Sequence, residues 1–395
     1  MPTVTSNPPT PRRQSPGWFV FGLMASVTFI GLLSELLPSG VLPQMAGELG
    51  ESDSRIGLLV GGYALASALT AIPLVSATLP MNRKHLLMWL LGGFALSNIA
   101  VGLSSSYGFI LGARILGGIC AGVMWPMIAA YGSRLVPPEQ QGRAITVIMA
   151  ANTLGISIGL PVMTWLGLAL GWRIEFIVLG LLAALIAALS HFHLPEMPGE
   201  ARRRGNSPLV LLKHPAILIV MLLTFLSVVA HYSVYTYISL LVERAQLAGG
   251  IGGALAIFGV GSVISVLLAA RFIDAWLRGL IVAMLALGAI SMLLLLGFAQ
   301  VPGVAHLAFF LWGIAFGPLV TMYQAAVARR VDRGRDVATS LQSSVFNFSI
   351  MVASWVGGVM LVRLADLGVR GIVWLALGCF VVAAGVAWRA KRALA

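Results

Sequence analysis

The chain has 395 residues, of which 59% are hydrophobic and 10% are charged, and its mean hydropathy is +0.95. A soluble protein of this length carries about 25% charged residues, so the surplus apolar surface must face lipid. The net charge of +12 would suit a nucleic-acid partner, but nearly all the basic residues lie between or beyond apolar stretches, which excludes that reading.

Residues 1–16 are polar and proline-rich. The first apolar stretch is too long for the core of a cleavable signal, so the first span is expected to direct insertion itself. About twelve apolar stretches follow, each about 19–27 residues and long enough to cross a bilayer as a helix. They run 18–42, 55–76, 86–104, 108–130, 144–167, 174–194, 216–241, 249–271, 280–299, 304–327, 337–361 and 371–389. They do not alternate as barrel strands do. The expected fold is an all-α membrane protein of twelve transmembrane helices in two pseudo-symmetric six-helix bundles. The expected divisions are a tail at 1–16, bundles at 17–194 and 216–389, a linker at 195–215 and a tail at 390–395.

With a cytoplasmic N-terminus, 19 of the 25 Lys and Arg residues fall in cytoplasmic connections and tails. Arg55, Arg173, Arg244, Arg363 and Arg370 fall outside, and Arg114 lies within a span. Basic residues favour the cytoplasmic side, which places both termini there. Cys120 and Cys379 both fall within spans and imply neither a disulfide framework nor a metal site. No phosphate loop or nucleophile–base motif stands out, so no enzyme is expected.

Glu35 stands alone in the first span, within Ser34-Glu35-Leu36-Leu37-Pro38. The other acids read as lying at segment ends or in polar connections. A carboxylate at membrane depth costs about 2.5–3.5 kcal/mol on insertion scales, which points to a use or a partner. Arg114 enters span four about seven residues deep, roughly 10 Å below the boundary, at a depth similar to that of Glu35. Burial penalises the charge on Glu35, whereas a nearby Arg114 favours it, and a carboxylate pushed both ways suits proton coupling. A static pair holding two helices together is the structural alternative.

The two halves align at an offset of about 195. Gly118-Ile119-x-x-Gly122 matches Gly313-Ile314-x-x-Gly317, Arg134 falls on Arg329, Asn152 on Asn347 and Arg83 on Arg278. Such a parallel duplication places a substrate site near the midplane between the halves. Glu35 then falls on His231 at offset 196, opposing an acid with an imidazole.

Twelve spans, a basic central linker and these motifs resemble the major facilitator superfamily over nearly the whole chain. Arg114-x-x-Gly117-Gly118 and Gly155-x-x-x-Gly159-Leu160-Pro161 resemble motifs of its twelve-span drug:proton antiporter branch, with Leu160 interrupting the usual Gly-Pro pair. After span two, Arg83-Lys84 is present but Leu79 stands at the family's Asp position; the second-half copy keeps Asp274 with Arg278. Glu35-Leu36-Leu37-Pro38, Leu42-Pro43-Gln44-Met45-Ala46-x-Glu48-Leu49-Gly50, Arg134-Leu135-Val136-Pro137-Pro138, Gly171-Trp172-Arg173 and Tyr235-Thr236-Tyr237 resemble the bacterial sugar-efflux and purine-nucleoside-efflux permeases.

The resemblance implies proton-coupled efflux of a sugar, nucleoside or drug-like molecule across the inner membrane by alternating access. It also implies that spans one and four line the central cavity. A proton-linked importer or a uniporter on the same fold is the alternative. The candidate coupling residues are Glu35 and Arg114. The candidate cavity residues are Trp125, Asn152, His231, Tyr235, Trp312, Phe316, Tyr323, Gln324 and Asn347, many of them aromatics at helical spacing. Gly118, Gly155, Gly159, Pro161, Arg83, Asp274 and Arg278 are read as gating or packing positions. No cofactor is expected beyond the coupling proton, and a monomer is expected.

Overall fold

The structure is a computed structural model that describes residues 17–137, 140–199, 215–301, 303–328 and 335–394. The N-terminal tail and most of the linker lie outside the described residues. Among those described there is helix throughout and no strand. Twelve helices are long and apolar enough to cross a membrane. In chain order they are α1 (Trp18–Gly40), α2 (Asp53–Thr78), α3 (Arg83–Leu103), α4 (Tyr107–Arg134), α5 (Val147–Leu170) and α6 (Trp172–His193) in the first half. The second half has α7 (Pro215–Thr236), α8 (Gly250–Ala269), α9 (Ala275–Gly297), α10 (Val304–Val327), α11 (Leu341–Arg363) and α12 (Val369–Arg389). A short helix, Leu42–Leu49, follows α1, and another, Ile238–Ala245, follows α7. Helix α8 runs into α9 across a break at Trp276, whose φ is −132°.

The internal repeat is visible in the packing. A side chain at Gly118 on α4 would run into the backbone oxygen of Tyr63 on α2; one at Gly313 on α10 would run into that of Phe258 on α8. Gly122 meets the Ser67 backbone oxygen in the same way, whereas Gly317 meets the Ser262 hydroxyl. Ser97 donates to Ala113 O at 2.6 Å, and Ser291 donates to Ala308 O at 2.8 Å. Each second-half partner is the first-half residue shifted by 194 or 195. The glycines let the helix backbones approach closely, the usual role of small residues between membrane helices.

The two ends of the bundle differ. Arg83, Arg134, Pro195–Gly199 and Arg389 lie at one end, called here the basic side; the turns after α1, α3 and α5 lie at the far side. On the basic side Tyr131 donates to Pro195 O at 2.5 Å, Arg134 to Pro198 O at 3.3 Å and the Arg83 backbone to Met197 O at 2.8 Å. The start of the linker is thereby tied to the first half.

On the far side the halves close on each other. Helices α2 and α11 pack together, with Gly61 against Ser354. Tyr237 donates to Ser354 O at 2.8 Å and presses its ring against Gly57 of α2 and Gly357 of α11. Deeper in the membrane, Ser157 on α5 donates to Gly259 O on α8 at 2.9 Å. Ser157 sits in a π-helical turn, Gly155–Gly159. The sequence explains that turn: Pro161 cannot donate to the preceding turn, and π-bulges of this kind, rare in general, are frequent at functional sites.

Candidate functional site

Pro38 has no N–H, so the carbonyl of Ser34, four residues earlier, loses its helical donor. Arg114 supplies a replacement from α4. Its Nη1 donates to Ser34 O, its Nη2 to Glu35 O at 2.7 Å and its Nε to Leu59 O on α2 at 3.2 Å. The guanidinium lies 4.4 Å from the Tyr63 ring centre, a cation–π contact in a desolvated setting. Asn98 of α3 donates to Ser34 Oγ at 3.0 Å and to Phe94 O at 2.8 Å. Thus α1 is fixed by its backbone at the very residue that carries the acid.

Arg114 therefore serves α1 through carbonyls and leaves the Glu35 side chain unengaged. Glu35 is 4% exposed, and its Oε1 has no hydrogen-bond partner. Arg114 and Tyr232 of α7 both lie within electrostatic reach of the carboxyl. The acid thus stands at the seam between the halves, positioned but not neutralised by a direct ion pair.

The second half has an aromatic node at the equivalent place. His231 stacks on Phe316 with ring centres 3.5 Å apart and planes within 5°. Tyr232 at 4.8 Å, Tyr235 at 5.0 Å, Trp312 at 5.1 Å and Phe258 at 5.6 Å complete the surround. Phe258 is the repeat partner of Tyr63, and Phe309, which touches Trp312, is the partner of Arg114. One half has thus built a charged node and the other an aromatic node on the same helix positions. His231 Nδ1, the Tyr235 hydroxyl and Trp312 Nε1 are buried without partners. A ring-bearing molecule with hydroxyl or amide groups would satisfy such donors and acceptors.

The structure brings Glu35 and Arg114 together, and likewise His231, Tyr235, Trp312 and Phe316. Tyr323 is buried farther along α10, whereas Gln324 beside it is exposed. Trp125 is half-buried and packs near Gly31 of α1. Asn152 leaves its Oδ1 buried and unpartnered on α5, but Asn347 on α11 donates to Ser343 O at 2.9 Å in its own helix. The symmetry of the two asparagines does not extend to their bonding. Gly155 abuts Leu32, and Gly159 abuts Phe29 and Leu33; with Pro161 they seat α5 on α1. Arg83 donates to Leu79 O at 2.8 Å, so the backbone of Leu79 stands where the family pattern has a carboxylate. Arg278 donates to Ala387 O at 3.4 Å and to Trp388 O, closing the end of α12. The side chain of Asp274 lies outside the described residues.

Sequence reasoning missed Tyr63, Tyr232 and Phe258, which complete the two nodes. The shared offset of 195 linking Tyr63 to Phe258 was the available signal. It placed Glu175 at a segment end, where it lies, but did not foresee its burial. The reading of Glu35 as the sole embedded acid is corrected: Glu175, in the first turn of α6, is fully buried with both carboxyl oxygens unpartnered.

The sequence model of the Major Facilitator Superfamily matches residues 24–335. The chain belongs to the Major Facilitator Superfamily. Members of that superfamily similar to this chain include a chloramphenicol efflux pump of Mycobacterium tuberculosis (strain CDC 1551 / Oshkosh), 31% identical over 375 residues, covering 91% of this chain and 89% of the relative. A protein described as a probable sugar efflux transporter, from Mannheimia succiniciproducens, is 26% identical over 366 residues, covering 90% and 92%. Among solved superfamily structures, the partially occluded inward-open xylose transporter XylE from E. coli superposes with a TM-score of 0.71 at 17% identity, covering 95% of this chain and 99% of XylE. That likeness concerns the fold. The chain is a multi-pass transporter of the superfamily and not an enzyme.

Proposed function

We propose that this transporter exports a small organic molecule across a bacterial inner membrane in exchange for protons, with both termini in the cytoplasm. It acts as a monomer and uses no cofactor other than the coupling proton. The observation that carries the reading is the unpaired Glu35 carboxyl at the seam between the two halves. The relatives that bear efflux names support export. The aromatic node supports an amphipathic cargo with a ring and a few polar groups, whether a sugar, a nucleoside or a chloramphenicol-like drug.

The mechanism follows from the cost of charge. With the far side closed by α2, α11 and Tyr237, cargo loads from the basic side. Moving between states slides α1 against α7 with Glu35 held buried at the seam between them. Burying an ionised carboxylate costs about 2.5–3.5 kcal/mol, so the empty carrier returns only after Glu35 takes a proton. Cargo in the aromatic node supplies the alternative compensation. Proton and cargo thus cross in opposite directions. Arg114 holds the α1 backbone still, so that protonation acts on one side chain and not on helix register.

Inside-out membrane vesicles test the reading. Labelled chloramphenicol, a set of sugars and a set of nucleosides are offered to vesicles with an acidic interior. At least one should accumulate, and a protonophore should abolish the accumulation. Uptake confined to right-side-out vesicles would favour the importer on this fold instead.

A further inference from the structure

Five buried side-chain oxygens without hydrogen-bond partners lie in one corner of the first half. They are Glu35 Oε1, Ser39 Oγ, Thr164 Oγ1 and both oxygens of Glu175. Their residues are 4%, 2%, 0% and 0% exposed. An unmade hydrogen bond at a buried polar atom costs about 1–3 kcal/mol, so a group of them in apolar surroundings calls for a use. The four residues form a series. Glu35 and Ser39 are one turn apart on α1. Gly40, next to Ser39, is in contact with the Thr164 hydroxyl on α5. Gly167, one turn beyond Thr164, is in contact with Glu175 Oε2 on α6. Glycine at 40 and 167 is what leaves room for these groups, because a side chain at either position would occupy it. The series starts at the seam and ends in the first turn of α6, at the far side.

We propose that Glu175 is a second proton-exchanging carboxyl, joined to Glu35 through Ser39 and Thr164, that carries protons between the far side and the coupling site. The inference rests on the reading of Glu35 as the coupling acid. A proton taken up by the Glu175 carboxylate passes along hydroxyls and intervening water to the Glu35 carboxylate, and the reverse transfer restores the starting state. No bond other than O–H is made or broken. The route serves the step in which the empty carrier takes its proton from the far side, before it returns to load cargo from the basic side.

Glu175 has little charge around it. Of the helices packed on α6, α3 carries Arg83, Lys84 and His85 at its opposite, basic-side end, α5 carries no charged residue in its far-side half, and α1 carries Glu35. Arg173, on α6 itself, is occupied by Glu48, which also accepts from Trp172 Nε1 at 3.0 Å. That Glu48–Arg173 pair stands at the surface, with Arg173 two residues before Glu175.

Infrared titration of the full-length protein in lipid nanodiscs tests this without a transported compound. A carboxylic C=O band that disappears as pH rises, and that is absent in Glu175→Gln, is expected. Thr164→Val should keep that band but slow deuterium equilibration of the Glu35 band by about tenfold or more. Where Glu175→Gln fails to assemble, Glu175→Asp carries the test: the band should change frequency and still titrate. A Glu175 band that does not respond to pH, or a Thr164→Val protein with unchanged exchange, overturns the inference. Failure of the underlying reading is separate, because it shows as undiminished proton dependence of efflux in Glu35→Gln.

Discussion

Arg114 donates to the carbonyl of Ser34, the carbonyl that Pro38 deprives of its helical donor. A charge buried in the membrane thereby completes a helix that a proline has opened. The pair should behave as a unit. Arg114→Met leaves buried acceptors unpaired and should lower stability by about 2–3 kcal/mol. Adding Pro38→Ala restores the helical donor and should recover part of that loss. Thermal unfolding of the two single variants and the double variant measures the coupling; additive effects would contradict it.

The repeat predicts a matched pair of glycine effects. Gly118→Ala and Gly313→Ala each drive a methyl group into a backbone oxygen and should each cost about 1–3 kcal/mol. Gly112→Ala on the same helix as Gly118 meets open space and should be neutral or stabilising by about 0.5–1 kcal/mol. Melting temperatures in detergent give the comparison. Equal effects at all three positions would remove the packing argument.

Gly57→Ala should bias the transport cycle. In the closed far side seen here, the new methyl group would run into the Tyr237 ring. A penalty of about 1–3 kcal/mol on that state shifts the balance of states by a factor of about 5–150 toward far-side opening. Spin-label distances between the far-side ends of α2 and α11 report the shift as a population with longer separations.

The aromatic node should hold cargo by stacking. Phe316→Leu removes the ring that lies parallel to His231. An aromatic pair is worth about 0.5–1.5 kcal/mol beyond its buried area, so affinity for a ring-bearing cargo should fall by about twofold to tenfold. His231→Gln should alter affinity or the pH profile. Equilibrium binding of the compound identified in vesicles checks both variants.

Much of this was legible in the sequence because its signals are long. Twelve apolar stretches declare membrane helices, and a constant offset declares the duplication. His231 and Tyr235 share a face by helical spacing, as do Trp312 and Phe316. The omissions are equally physical. Tyr63 and Phe258 reach their nodes from neighbouring helices, which spacing within one helix does not reveal. Glu175 lies in the first turn of α6, where an acid ordinarily meets water; only the packing of Gly167 and Val41 over it shows burial. Arg114 could be placed level with Glu35 by depth, but its choice of backbone carbonyls over the carboxylate depends on Pro38 and on side-chain geometry.

The central claim is that Glu35 is the group whose proton is exchanged for cargo. Its direct test is efflux from proteoliposomes containing wild type or Glu35→Gln, measured with and without an imposed pH gradient. The account predicts that Glu35→Gln still binds and exchanges cargo at equal concentrations across the membrane but gains nothing from the gradient. Full acceleration by the gradient in Glu35→Gln would contradict it.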